Sequence, residues 1–295
     1  MVLRDDGFDA ELRASQVLDK LQIKALPIDP FLIARDRDIV CEENAALTAG
    51  VSGCLMKVGD VFGIMYSARF SSDGFKRFTV AHELGHYFLD GHVDALFGGG
   101  QQFHQSESGF TSDNKYEREA DSFAASLLMP KLLFKAACGR SGQGLAAVES
   151  LADLCGTSLT ATAIRYAKLV EEPVAVVWSF GDRVQFVFMS RVLQDLRGLT
   201  WIRKGSGLPL GTATAQFNSN EENIRKGRRV TSTSTLDTWF DGGGTTELNE
   251  EVVGLGDYGR TLTVLWMDSL PEPDEEEETE EDENLLPSQR WRERG

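Results

Sequence analysis

The sequence predicts an α+β protein: a mixed, mainly helical first domain with a small sheet, helix-turn-helix-like helices at its end, then a β-rich second domain. Three observations predict it. Before residue 170, apolar residues recur mostly at a helical period. Within that region one stretch, GCLMKVGDVFGIMYSARF (53–70), instead reads as two short strands. After Glu171-Glu172-Pro173, runs such as VAVVWSF and VQFVFMS have strand length and strand composition. The boundaries that follow are 1–170, 171–270 and a tail at 271–295.

Each element has its own signal. ELRASQVLDKLQ (11–22) places apolar residues at 12, 14, 17, 18 and 21, and Pro27 and Pro30 close that region. The two strands of 53–70 are joined by a turn near Gly59-Asp60. A turn at 71–74 precedes an apolar period of 3.6 from Phe75 to Leu89, and Gly91 is the stop signal. From Gly98 to Lys115 the chain is rich in Gly, Ser, Gln and Asp and reads as a long surface loop. KYEREADSFAASLLM forms a second helix from about 115 to 129 and stops at Pro130. LLFKAAC, LAAVESLADLC and SLTATAIRYAKLV are further helices. The last two resemble a helix-turn-helix over 151–169, with Gly156-Thr157-Ser158 as the turn. In the second domain, VAVVWSF and VQFVFMS form a hairpin about Gly181-Asp182, and TATAQF, RRVTSTST, DTWF and RTLTVLWMD continue the strand-rich character.

Composition narrows the function classes. The acidic N-terminus lacks the basic and apolar regions of a signal peptide, and no apolar run reaches membrane-spanning length. Cys41, Cys54, Cys138 and Cys155 are scattered, as buried free thiols of a cytoplasmic protein would be. The net charge is −16, and 271–283 holds ten acids and no base. That run cannot form a core and reads as a disordered, solubilising tail. The rest of the chain is acidic as well, which disfavours binding to phosphate backbones. Arg165 and Lys168 are the only bases on the would-be recognition helix, so direct DNA binding is not expected. Nothing in the sequence sets the oligomeric state.

Three of the four histidines lie in RFTVAHELGHYFLDGH (77–92). His82 and His86, four apart on one helix face, can point at one ion, and Glu83 lies beside them as a general base for water. Catalytic zinc needs a third protein ligand. His92 has the right separation for a histidine third ligand, but Gly91 comes too late to bend the chain back. His104 is a loop histidine. On the second helix, Glu117, Asp121, Ala124 and Leu128 share a face, whereas Glu119 lies about 160° around from Glu117. Glu117 is therefore the better ligand, and Asp121 can accept the remaining N–H of a ligating histidine.

RFTVAHELGHYFL followed by EREADSFAASLLMP resembles the ImmA/IrrE family of metallopeptidases, over roughly residues 10–170. The resemblance supports Glu117 with Asp121 over His92, in a zincin-like, gluzincin-type arrangement. It implies a zinc endopeptidase whose substrate is a protein, a helix-turn-helix repressor whose cleavage relieves repression. It also raises a sensor or docking role for 171–270. In the implied chemistry zinc acidifies water and polarises the peptide carbonyl, Glu83 moves the proton, and Tyr116 and His104 are candidates for the oxyanion donor. FGIMYSARF is expected to be an edge strand that aligns the substrate. The competing reading is a non-catalytic DNA- or partner-binding regulator with a structural zinc.

Overall fold

In the computed structural model, twelve α-helices, one short 3-10 helix and two sheets make up the described residues, which are 6–268 and 270 without 49, 70, 71, 108–113, 197 and 243. The first part runs α1 (Asp6–Lys20), α2 (Pro30–Asp36), β1 (Val40–Asn44), β2 (Val51–Val58), β3 (Val61–Ser67), α3 (Asp73–Phe88), α4 (His92–Phe97), β4 (Phe103–Glu107), α5 (Lys115–Leu128), α6 (Lys131–Cys138), α7 (Gly144–Cys155) and α8 (Leu159–Leu169). The second runs β5 (Val174–Phe180), β6 (Arg183–Met189), α9 (Arg191–Gln194), α10 (Ala213–Asn218), α11 (Glu221–Arg225), β7 (Arg229–Thr235), α12 (Leu236–Trp239), β8 (Glu247–Gly254) and β9 (Thr261–Trp266). The acidic run and the C-terminal arginines lie outside the described residues. No described helix is long and apolar enough to cross a membrane.

The first sheet has the order β1-β3-β2-β4. β2 and β3 form a tight hairpin with Val58 opposite Val61. β1 pairs in parallel along the other side of β3, Val40 opposite Gly63. Both backbone edges of β3 are therefore occupied, and the expectation that FGIMYSARF is a substrate-aligning edge strand is corrected. The edge nearest the histidines is β4, inside the stretch expected to be a long surface loop. It pairs with β2 through Leu55–His104 and Met56–Phe103. An edge strand can be built from polar residues because one side of it meets solvent, so its composition resembles that of a loop.

α3 packs against β2 and β3 of this sheet, α5 packs on α3, and α1 packs along α5. Ser72 caps α3 by accepting from the Phe75 N–H, and Asn114 caps α5 by accepting from the Tyr116 N–H at 3.0 Å. α7 and α8 follow, with Gly156 at φ 62 in the left-handed conformation that turns one into the other. Ala161, Ala163, Arg165 and Tyr166 of α8 are buried. The helix that resembles a recognition helix is thus packed into the protein.

The second sheet, ordered β6-β5-β9-β8-β7, is antiparallel throughout. Its two faces follow the period of two. Val174, Val176, Leu262 and Val264 join the core that contains Val148, Leu151 and Ala163, while Ala175, Val177 and Leu265 pack with Trp239 and Phe240 on the opposite side. Two segments expected to continue the strands are helical. TATAQF forms most of α10 because the Thr212 side chain accepts from the Ala215 N–H and starts a helix there. DTWF falls in α12, a single turn that buries Leu236 and Trp239.

A candidate metal centre between two helices

Gly85 sets the approach of α3 and α5. A β-carbon at Gly85 would lie 3.0 Å from the Ala120 α-carbon, so any larger residue would push the helices apart. This contact puts Glu117 and Asp121 of α5 opposite His82 and His86 of α3. Single ligand atoms from His82, His86 and Glu117 all lie within 4.8 Å of one another. The two imidazole Nε2 atoms are 3.1 Å apart. Glu117 spans them, Oε2 lying 3.2 Å from His82 Nε2 and Oε1 3.4 Å from His86 Nε2.

His82 Nδ1 meets Asp121 Oδ1 at 2.8 Å, as the helical phase predicts. His104, placed by β4, meets Glu117 Oε1 at 2.9 Å. Burial alone would favour the protonated form of Glu117, but hydrogen bonds from His104 and His82, with His86 close by, hold its carboxyl well below the usual carboxylate range. Burial likewise opposes charge on His82, yet its hydrogen bonds to Asp121 and Glu117 raise it to about 10. Burial is the main reason that His86 falls to about 3.

Glu83 points from the same helix toward β2. Both of its carboxylate oxygens are buried without a hydrogen-bond partner among the described residues. Burial raises it to about 7, only partly offset by the charge on His82 and by the approach of the Ser106 side chain. Its space exists because β2 has Gly53 there: a β-carbon at Gly53 would lie 2.6 Å from Glu83 Oε1 and 2.5 Å from Thr79 Cγ2.

This donor set fits a divalent metal. Two buried nitrogens face each other, a carboxylate bridges them, and a second carboxylate stands unpaired beside them. Such groups are costly to bury together unless a cation meets them. The structure thus brings together all five residues singled out in the sequence. Arg77 of the same motif lies outside the cluster, donating to the main-chain carbonyls of Ile28 and, at 3.5 Å, Cys155.

Three features were not read from the sequence. Gly53 carries no local signal. His104, placed by the missed strand, is in direct contact with the site. His92 and Glu119 are not bystanders: His92 Nδ1 lies 3.1 Å from His86 Nδ1, and His92 Nε2 lies 3.2 Å from Glu119 Oε2. Tyr116 packs edge-on against His92, ring centroids 4.9 Å apart.

Two histidines one turn apart and a glutamate from a neighbouring helix form a group that could hold a metal ion, with the buried Glu83 carboxylate beside it. Residues 61–166, from β3 into α8, match the family model of Peptidase_M78, the IrrE N-terminal-like domain, in agreement with the resemblance to the ImmA/IrrE family. No curated protein matches the chain. Among solved structures, the fold is similar to that of a Mycobacterium tuberculosis transcriptional regulator at 13% sequence identity. That likeness covers 88% of this chain and 76% of that one, with a TM-score of 0.57.

Proposed function

We propose that this chain is a zinc-dependent endopeptidase whose active site comprises His82, Glu83, His86 and Glu117, supported by Asp121. The first part of the chain, to about residue 170, is then a zincin-like peptidase domain with a helix-turn-helix-like end. The observation that carries the reading is Glu83: a buried carboxylate with both oxygens unpaired, beside three converging metal donors. A structural zinc site is closed by four protein ligands, whereas this group supplies three.

His82, His86 and Glu117 would hold the ion. When bound, it supplies Lewis acidity, polarising a peptide carbonyl and lowering the pKa of water toward neutrality. Asp121 keeps the His82 ring oriented, and His104 steadies the Glu117 carboxylate. Glu83, raised to about 7, is poised to take a proton from the attacking water and return it to the departing amine nitrogen.

The family resemblance points to a DNA-binding repressor of the helix-turn-helix class as the substrate, cleaved in the cytoplasm to relieve repression. The second sheet is then a sensor or docking module. DNA is not the expected partner of this chain itself: Arg165 on α8 is buried, with Nε bonded to the Met129 carbonyl at 3.1 Å and Nη2 paired with Glu11 at 2.9 Å.

The test is Glu83→Gln in the full chain, with metal content and cleavage of a co-expressed candidate repressor measured together. Retained zinc with cleavage reduced about 10²–10⁴-fold is the expected result. Undiminished cleavage by the variant would remove Glu83 from the chemistry.

A further inference from the structure

His86 makes a second set of contacts on the side away from Glu117, and these have a fixed polarity. Glu119 Oε2 is 3.2 Å from His92 Nε2, and Lys115 Nζ is 3.5 Å from Glu119 Oε1. A carboxylate facing two donors can only accept, so the His92 proton belongs on Nε2. His92 Nδ1 then carries a lone pair and must accept across the 3.1 Å contact to His86 Nδ1. That places the His86 proton on Nδ1 and its lone pair on Nε2, 3.1 Å from the His82 Nε2 that can donate to it. The opposite arrangement would set the lone pair of His92 Nε2 against the Glu119 carboxylate.

From this chain of contacts we infer that His92 and Glu119 are positioning residues for the candidate metal centre: Glu119, acting through His92, holds His86 in the tautomer whose Nε2 can bind a metal. The inference rests on the reading of His86 as a metal ligand. It gives each histidine of the HExxH pair its own acidic support from α5. Asp121 acts on His82 directly at 2.8 Å, whereas Glu119 acts on His86 through one intervening imidazole.

The geometry of the chain explains why a relay is needed. Glu117 and Asp121 share the face of α5 that meets α3, and both are engaged with the Nε2 side and with His82. Glu119 lies on another face of α5. After Gly91, at φ 81, the chain enters α4 and brings His92 between the two helices. There it is buried, with Tyr116 packed against its edge. The fixed ring of His92 spans the gap that Glu119 alone does not cross. A hydrogen bond to the far nitrogen of a ligand also strengthens that ligand as a donor, and losing such support costs typically 10–100-fold in metal affinity.

The experiment uses the full chain, freed of metal, as wild type, Glu119→Gln and His92→Asn. Each is titrated with zinc ion against a chromogenic chelator. In parallel, ¹⁵N-histidine labelling reads which ring nitrogen of His86 bears the proton in the metal-free protein, which the presence of only four histidines makes tractable. The expected result is zinc affinity 10–100-fold weaker in both variants, with the His86 proton on Nδ1 in the wild type and redistributed toward Nε2 in the variants. Two variants keep the test alive should one fail to fold. Affinities within twofold of wild type, or an unchanged His86 tautomer in the variants, would overturn the relay. A wild type that binds no zinc would instead defeat the metal-site reading, and the tautomer measurement would still decide whether Glu119 governs His86.

Discussion

The carboxylate of Glu83 occupies the space that a side chain on Gly53 would need, 2.6 Å from where a β-carbon would sit. The sheet and the motif helix are therefore matched at one point, and Glu83, the proposed general base, is positioned by an absence on β2. Gly53→Ala should displace Glu83 or Thr79 by overpacking, at a cost of about 1–3 kcal/mol. Cleavage should fall by at least tenfold while zinc stays bound, because the atoms nearest a Gly53 β-carbon belong to Thr79 and Glu83 rather than to His82, His86 or Glu117. Thermal unfolding, zinc content and cleavage rate of the variant check this together; full activity would mean that Glu83 need not occupy that space.

Metal binding at this centre should release a proton. In the metal-free protein, hydrogen bonds to Asp121 and Glu117 outweigh burial and raise His82 to about 10, so it is charged at neutral pH. A metal needs the neutral ring. Zinc affinity should consequently rise with pH, by roughly tenfold per unit between pH 7 and 9. Competition titrations at several pH values measure the slope, and a flat profile would mean that His82 is already neutral.

The same shift fixes how the metal-free protein responds to pH. A group whose pKa is raised on folding contributes stability that is complete below its unfolded value and lost as pH rises through the folded one. For His82 that window runs from 6.5 to about 10, and for Glu83 from 4.5 to about 7. His86, lowered to about 3, acts oppositely, losing stability as pH falls from 6.5. Metal-free protein should therefore lose stability steadily from pH 7 to 10, and Asp121→Asn should flatten that decline. Denaturant unfolding at fixed pH values gives the slope directly.

Much of this centre was legible in the sequence because it lies on two long helices. There the period of 3.6 assigns faces, and so separates Glu117 from Glu119 as the residue facing the histidine pair. The same logic failed where one short element redirects the chain. His92 leaves the motif helix through the Gly91 turn, and spacing along α3 could not show that it returns between α3 and α5. β4 was missed because QFHQSE has the polar composition of a loop and becomes a strand only through pairing with β2. α10 was misread because Thr-Ala alternation imitates a strand period, whereas the Thr212 cap decides the local structure.

Arg165 distinguishes a packed helix pair from a DNA reader. Its side chain is nearly buried, with Nε bonded to the Met129 carbonyl and Nη2 paired with Glu11, so it ties α8 to α1 and to the end of α5. Breaking a fully buried ion pair typically costs 3–5 kcal/mol. Because the Glu11 side chain is 34% exposed, the cost of Arg165→Ala should be smaller, roughly 1–3 kcal/mol. A recognition helix would behave differently: losing its arginine would weaken a salt-dependent affinity for duplex DNA and leave stability nearly unchanged. Unfolding curves and duplex-binding titrations at two salt concentrations, on the wild type and the variant, separate the two roles. The expected pattern is a lower midpoint of unfolding with no salt-dependent duplex binding by either protein. Tight duplex binding by the wild type that Arg165→Ala abolishes would require α8 to leave its packed position.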